Sequence, residues 1–349
     1  MSGNGAIKIG VLGFAHGHVH VYLDQWQQNP SLGIVVVAGW DHDNMRATKS
    51  CNRHNLICMP TLEALLEVSD IQAVVIAAET AYHADLVSAA AAAGKAIVLQ
   101  KPLALTLEEA DKVVAVIEKH RVPFTLAWQM RVDPHNLKIK ELMENGRFGK
   151  VYMVRRRHCL PMQKWPDFEH SWHVDAKLNR DIFADDAAHA VDFLLWLIGM
   201  PQSVVAELGT LWKREIVNDN AIAIFRYSNG AFGEISCTFA AVASENTCEV
   251  VCEHGTIVAN YGDLVSCMNP WPNGAVQLKW FYKDDAEWTT AALPDVKSQN
   301  DRIAELAKPL ADFLHGRRSA IATAEEGRQV LQMIIASYEA YETGCRVNL

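Results

Sequence analysis

Short apolar runs alternate with amphipathic stretches through the first third of the chain. Ile7, Ile9, Val11 and Leu12 predict a buried strand, a glycine-containing turn follows, and Val19, Tyr22, Leu23 and Trp26 then recur at helical spacing. Gly33–Trp40 reads as a second strand, Thr61–Val68 as a short helix and Ile71–Ala78 as another strand. Glu79–His83 opens a helix to about Ala93, and Lys95–Leu99 is a strand. Thr106 caps a helix that passes Glu109 and reaches Lys119, and Val122–Trp128 is one further strand. Strands alternating with helices of this length predict an α/β domain, a Rossmann-type doubly wound parallel sheet over residues 1–127.

From about Trp128 the pattern changes. Asp133–Asn145 predicts a helix and Lys150–Cys159 an alternating strand. Ala221–Tyr227, Ala231–Phe239, Cys248–Val251, Thr256–Asn260 and Ala275–Tyr282 are strands divided by turns such as Ser228-Asn229-Gly230. Residues 128–349 are therefore expected to form an α+β domain with a large, mostly antiparallel open sheet. Two closing helices, about Asp301–His315 and Ala324–Glu342, should pack back on the body, and an uncovered sheet face would suit self-association.

Composition narrows the partners. Half of the 349 residues are hydrophobic and the net charge is −9, which argues against broad nucleic-acid or anionic-membrane binding. No apolar run is long enough to span a bilayer, and Met1–Gly5 lacks the basic and apolar parts of a secretion signal, so a cytoplasmic protein is expected. The eight cysteines are scattered without a CxxC and read as small core residues of a reducing compartment.

The first turn carries the first candidate chemistry. A strand, a tight turn and a helix N-terminus suit a pyrophosphate, and Gly13, Phe14, Ala15, His16, Gly17 and His18 make up that turn. Against G-x-G-x-x-G, Gly13 holds the first place, Ala15 and His18 stand in the other two, and Gly17 falls one residue early. Taken alone, such half-matches also occur in α/β proteins that bind no dinucleotide. Asp41 ends the second strand, where a carboxylate accepts hydrogen bonds from ribose hydroxyls and repels a 2′-phosphate, so NAD is expected over NADP. Asp43 or Asn44 also reads as the cap of the next helix.

Gln100-Lys101-Pro102, following a strand and preceding a helix opened by Thr106-x-x-Glu109, resembles the Glu-Lys-Pro element of the Gfo/Idh/MocA oxidoreductases. That family is named for glucose–fructose oxidoreductase and inositol dehydrogenase. Ala78-Glu79-Thr80-Ala81-Tyr82-His83 is similar to its turn beside the nicotinamide, Phe148–Val151 to its entry into the second domain, and Asp219-Asn220-Ala221 to its strand-hairpin segment. Ala340–Val347 resembles its closing helix and strand. Asp185-Asp186-Ala187-Ala188-His189-Ala190-Val191-Asp192 resembles its D-x-G-x-H-x-x-D motif, with Ala187 for glycine. Gln100 replaces the usual Glu, and Asn179-Arg180-Asp181 replaces a glycine triplet, which implies a reshaped substrate pocket. The resemblance implies an NAD-dependent oxidoreductase acting on a secondary alcohol of a sugar, polyol or sugar acid, assembled as a homodimer or homotetramer. Two alternatives stay open: an enzyme that keeps NAD bound and oxidises only transiently, and a non-catalytic NAD-binding regulator. Ala78, Glu79, His83, Gln100, Lys101 and Gln129 join the expected cofactor site.

Oxidising a secondary alcohol with NAD requires hydride transfer from carbon and removal of a proton from oxygen. Histidine titrates near working pH, so His189 is the candidate base. Asp185, one helical turn earlier, would orient that ring or bind a substrate hydroxyl. Lys101 would stabilise the developing alkoxide or relay its proton, and the division between lysine and histidine stays open. On a regular helix Asp185, His189 and Asp192 share one face, opposite Ala188, Val191, Leu195 and Ile198. Periodicity alone favours an ordinary amphipathic helix with a solvated polar face; the resemblance reverses that preference.

Further candidates are less marked. Gln129 and Arg131 face either the nicotinamide and substrate or the surface. Trp165 and Trp172 either wall a sugar pocket or belong to the core. His16, His18 and His20 lie where phosphates would bind, without a carboxylate ligand pattern, so no metal is expected. Strand alternation sends Arg155 and Arg157 to one face and Arg156 to the other. One of these, with Arg157 favoured, or Arg180 would hold a substrate carboxylate bidentately.

Overall fold

The structure is a computed structural model that describes residues 5–243, 246–260, 274, 276–294 and 298–349. Met1–Asn4, and Ala275 at the start of the last expected strand, lie outside the described residues. The chain divides into one unit of Met1–Val132 with Asn300–Leu331 and another of Asp133–Gln299 with Gln332–Leu349. The hydrophobic pattern alone puts all of 128–349 in the second domain, so the closing segment is where the two divisions differ.

The first unit is built on β1 (Ile7–Leu12), α1 (His18–Gln28), β2 (Ile34–Trp40), α2 (Asn44–His54), β3 (Ile57–Cys58), α3 (Leu62–Leu66), β4 (Ala73–Ile76), α4 (His83–Ala92), β5 (Ala96–Leu99), α5 (Leu107–His120) and β6 (Phe124–Leu126). Its six strands pair in parallel in the order β3-β2-β1-β4-β5-β6. This is the doubly wound order, with the chain reversing direction across the sheet between β1 and β4, where α/β sheets open a ligand crevice. β4, β6 and the last four residues of β1 are buried throughout, as strands covered on both faces must be. The expected helix termini hold: Thr106 and Glu109 close a capping box on α5, and Asp43 caps α2 by accepting from the Met45 and Arg46 N–H groups. β3 is not foreseen by the sequence pattern; it has only two residues, both exposed, and therefore no periodicity to detect.

In the second unit, α6 (Pro134–Glu144) and β7 (Val151–Cys159) precede α7 (Ala176–Asn179) and α8 (Ala188–Ile198). Then come β8 (Ser203–Gly209), β9 (Asn220–Arg226), β10 (Phe232–Thr238), β11 (Thr247–Cys252), β12 (Gly255–Ala259), β13 (Leu278–Tyr282) and β14 (Thr289–Thr290). With β15 (Val347–Asn348), they form a nine-stranded sheet in the order β14-β13-β12-β11-β7-β10-β9-β8-β15. The sheet is mixed: β7 and β10 run parallel and the other described pairs antiparallel. One face is covered by α8, and a Cβ on Gly233 would stand 3.0 Å from Leu194. The other face exposes Arg155, Arg157, Ile222, Ile224 and Phe232.

The first closing helix is two helices, α9 (Gln299–Ala304) and α10 (Ala307–Leu314), and α11 (Ala324–Thr343) follows. Pro309 explains the interruption, because its ring clashes with the carbonyl of Glu305, four residues back, and it has no N–H to donate. The segment is tied into the first unit by specific bonds. Trp26 Nε1 donates to the Ala307 carbonyl at 2.8 Å, the Leu126 N–H to the Ala322 carbonyl at 2.9 Å, and the Ile321 N–H to Thr125 Oγ1 at 2.9 Å.

Candidate functional site

The turn after β1 is sewn to both neighbouring strand ends. Gly13 has φ +83°, its N–H donates to the Trp40 carbonyl at 2.7 Å, and a Cβ there would lie 2.6 Å from the Ala78 backbone. Only glycine fits both the backbone angle and the contact. The His16 N–H donates to the Ala77 carbonyl at 2.9 Å. α1 then opens at Gly17 with no side-chain cap and no acidic residue in its first turn, the arrangement that suits an anion.

Beside this turn the buried Asp41 carboxylate accepts from the Phe14 N–H (2.7 Å), the Asp43 N–H (2.9 Å) and both Nε (2.7 Å) and Nη2 (2.8 Å) of Arg46. Arg46 Nη2 also lies 2.9 Å from Glu79 Oε1, so one guanidinium joins the ends of β2 and β4. Glu79 is itself buried, and its Oε2 has no hydrogen-bond partner. The uncapped α1 terminus, the glycine that no Cβ could replace and this orphaned carboxylate oxygen fit a dinucleotide with its phosphates and ribose hydroxyls.

The other expected cofactor residues divide by role. Gln100 is spent within the protein: its Nε2 donates to Tyr22 Oη at 3.1 Å and its Oε1 accepts the Lys101 N–H at 2.9 Å. The His83 ring nitrogens lie 2.9 Å from the Pro102 carbonyl oxygen and 3.2 Å from that of Ala78, so His83 straps the β4 turn to the Lys-Pro element. Lys101 is buried at the end of β5, and Gln129 is buried after β6. Of the two alternatives for Arg131, burial excludes the surface one. Arg131 Nη1 lies 2.5 Å from Glu326 Oε1 and 3.2 Å from the Ile321 carbonyl oxygen. Burial pushes the Glu326 carboxyl up, but Arg131 and the hydrogen bonds from Thr323 together hold the group below the usual range.

In the second unit the polar motif is buried. Asp185, His189 and Asp192 are each no more than 3 % exposed, which excludes a solvated amphipathic face. The regular helix expected from the sequence is also interrupted, because Phe183–Ala187 forms a π-helical turn that leads into α8. Asp185 Oδ2 lies 2.7 Å from His173 Nδ1, whose ring stacks on Trp172 at 3.9 Å. The carboxylate near His189 is instead Asp186, with Oδ1 3.6 Å from Nε2, and Asp186 Oδ2 lies 3.5 Å from His158 Nε2. Three histidine–aspartate pairings thus surround the motif: Asp185 with His173, and Asp186 with both His189 and His158. Sequence reasoning misses His173, His158 and Asp186. Strand alternation places Arg156, and His158 two residues on, opposite Arg155 and Arg157, but nothing in the sequence places α8 over that face.

The arginines expected to grip a carboxylate are dispersed. Arg157 lies on the exposed sheet face, and Arg155 beside it has its Nε 3.0 Å from Glu234 Oε2. Arg180 sits over the Tyr338 ring at 5.1 Å. Arg156, on the α8 side, packs over Phe193 at 4.8 Å. Trp165 and Trp172 are half-buried in an aromatic cluster with Phe168 and His173. Next to it a hollow of about 530 Å³ is lined by Glu169, Trp172, Asp175 and Glu215, among others.

Two family models match these two folds in turn. Residues 7–127 match the oxidoreductase family's NAD-binding Rossmann fold, and residues 136–258 match the GFO/IDH/MocA C-terminal domain. The chain belongs to the GFO/IDH/MocA oxidoreductase family. It is 27 % identical over 225 residues to levoglucosan dehydrogenase of Pseudarthrobacter phenanthrenivorans, covering 57 % of each chain. It is 32 % identical over 157 residues to inositol 2-dehydrogenase of Rhizobium meliloti, covering 45 % of this chain and 46 % of that one. The chain spans about half the length of the curated relatives it matches. Among solved structures, a levoglucosan dehydrogenase in complex with NADH and levoglucosan shares the fold with a TM-score of 0.84 at 20 % identity, over 98 % of this chain and 99 % of that one.

His20 stacks on Phe14 at 6.0 Å, and its Nδ1 lies 2.8 Å from His54 Nε2. Burial, then Arg53, pushes His20 down to about 4 from 6.5, and burial lowers His54 against the pull of Asp24. A histidine whose folded pKa is depressed stabilises the fold in its neutral form, and that contribution is lost as pH falls from the unfolded toward the folded value. Thermal melts should therefore show a drop in Tm between about pH 6.5 and 4. His20→Phe, which keeps the stacking surface and cannot protonate, should flatten part of that drop; parallel pH profiles of the two proteins would refute the assignment.

Proposed function

We propose that this chain is an NAD-dependent dehydrogenase that oxidises a secondary alcohol of a sugar or polyol. Membership of the oxidoreductase family through both domains carries the reading, supported by a buried lysine and a buried histidine at the two motif positions. The chemistry that NAD supplies when bound is acceptance of a hydride from the carbinol carbon. The protein's share is to hold the alcohol, take its proton and stabilise charge on its oxygen. The α1 terminus and Gly13 turn would carry the pyrophosphate, Glu79 Oε2 would accept from a ribose hydroxyl, and Asp41, its oxygens already taken up by Phe14, Asp43 and Arg46, would act through its charge against a 2′-phosphate. Lys101 would hydrogen-bond the reacting oxygen, strongly so because it is shielded from water. His189, with Asp186 beside it to stabilise the imidazolium, would accept the proton. Asp185 would fix the His173 ring against Trp172 and so shape the sugar subsite.

The placement of the arginines favours a neutral sugar or polyol over a sugar acid. Arg155 is paired with Glu234, and Arg157 faces away from α8, so neither is set to grip a carboxylate beside His189. The exposed sheet face, with Ile222, Ile224 and Phe232 among paired charges, suits association with a second copy of the chain. No helix of the described residues is long and apolar enough to cross a membrane.

Three outcomes are expected. Lys101→Met should lower kcat by roughly a hundred- to a thousandfold, and His189→Asn by roughly a hundred- to ten-thousandfold, each with NAD affinity nearly intact by fluorescence titration. A loss accounted for entirely by weaker NAD binding would remove that residue from the mechanism. Asp41→Ser should shift the NAD/NADP ratio of kcat/KM toward NADP, since it removes a buried anion and leaves the Arg46 guanidinium without that partner. An unchanged ratio would defeat that role. Light scattering at micromolar concentration should give a dimer or tetramer, and a monomer of 38.8 kDa would count against the sheet face as an interface.

A further inference from the structure

Two cysteines of the first unit meet over a glycine. Cys51 is in the last full turn of α2, buried at 1 % exposure, with its Sγ donating to the Gly39 carbonyl at 3.7 Å. A Cβ built on Gly39 would lie 2.9 Å from that sulfur, so Cys51 occupies the face of β2 where residue 39 has no side chain. Gly39 is the ladder partner of Cys58 in β3, and directly paired residues of a parallel ladder present their side chains to the same face. Cys58 therefore stands on the Cys51 side of that ladder position. Access separates them. Cys58 is exposed to solvent, whereas Cys51 is sealed beneath it.

We propose that Cys58 and Cys51 form a peroxide-responsive dithiol, in which Cys58 is oxidised first and Cys51 resolves it into a disulfide. Burial, reinforced by the neighbouring Cys58, pushes the Cys51 thiol up to about 12, and the sulfur that an incoming peroxide can reach is that of the exposed Cys58. The Cys58 sulfur attacks one peroxide oxygen. An S–O bond forms, the O–O bond breaks, and the departing hydroxide takes up a proton to leave as water. Cys51 then gives up its proton, and its sulfur attacks the Cys58 sulfenic acid. The S–S bond forms, the S–O bond breaks, and a second water leaves. Two thiols lose two electrons in all, and one hydroperoxide is reduced by two. The bridge ties the end of α2 to β3, and α2 is the helix whose Arg46 clamps Asp41 and Glu79.

Peptide mapping of the full chain tests this directly. The protein is titrated with hydrogen peroxide, its remaining thiols are alkylated, and the digest is read by mass spectrometry. The expected product is an intramolecular link between residues 51 and 58 with the loss of two hydrogens, forming faster as pH rises. The exposed Cys345 should instead climb to sulfenic and sulfinic acid, providing an internal comparison. In Cys58→Ser, a change at an exposed position that leaves the fold intact, the link should vanish and Cys51 should stay reduced. In Cys51→Ala, Cys58 should stop at sulfenic acid or pass to sulfinic acid. Wild-type protein in which Cys58 accumulates as sulfinic acid while Cys51 remains open to alkylation after unfolding would overturn the proposal. So would a Cys58 that peroxide leaves untouched while Cys345 reacts. Should Cys51→Ala fail to fold, the wild-type and Cys58→Ser maps still separate a 51–58 link from simple over-oxidation of Cys58.

Discussion

Gly13 and Ala78 approach so closely that no Cβ fits between them, and the cofactor end of the first unit is built on that contact. It brings the ends of β1 and β4 together at the one place where the strand order reverses. Once those ends are fixed, the remaining polar groups have short distances to cover. The His16 N–H reaches the Ala77 carbonyl, the Phe14 N–H reaches Asp41, and Arg46 spans from Asp41 to Glu79. Asp41 is fully buried, and a buried charge stripped of its partner costs about 3–5 kcal/mol, so Arg46 is as much a part of this end as the glycine.

The second unit solves a different problem, that of placing charged side chains inside. α8 is almost wholly buried, and its polar residues survive there because each finds a partner off the helix or one turn away. At the π-turn over Phe183–Ala187 the adjacent aspartates meet different histidines, Asp185 facing His173 and Asp186 lying near His189 and His158. Asp181, just before the turn, is anchored by the Ala184 N–H, Asn218 and Tyr338, although burial still raises its carboxyl above the usual range. The Asn179-Arg180-Asp181 stretch that departs from the family's glycines is thus a packed corner, with Arg180 at φ +69° over the Tyr338 ring.

Elements with strong periods or explicit end signals are legible in the amino-acid order. The parallel strands of the first unit can be read because both of their faces are buried and their apolar runs are nearly continuous, and α5 because Thr106 and Glu109 spell out its cap. Lys101 and His189 stand out as candidates because the Lys-Pro element and the Asp-His spacing are local patterns. What lies between elements is not legible in this way. Which carboxylate meets which histidine depends on where His158 of β7 and His173 stand around the helix, and hydrophobic periodicity carries no record of either. Arg131 gives no sign in sequence of its ion pair with Glu326, 195 residues away. The break at Pro309 is written in the chain, but the return of α9 and α10 to the first unit rests on contacts such as Trp26 to Ala307, 281 residues apart. Periodicity reports how each residue sits relative to its own helix or strand. The partner of a buried charge is whichever distant group the folded chain brings within hydrogen-bonding distance, and that choice belongs to the tertiary fold.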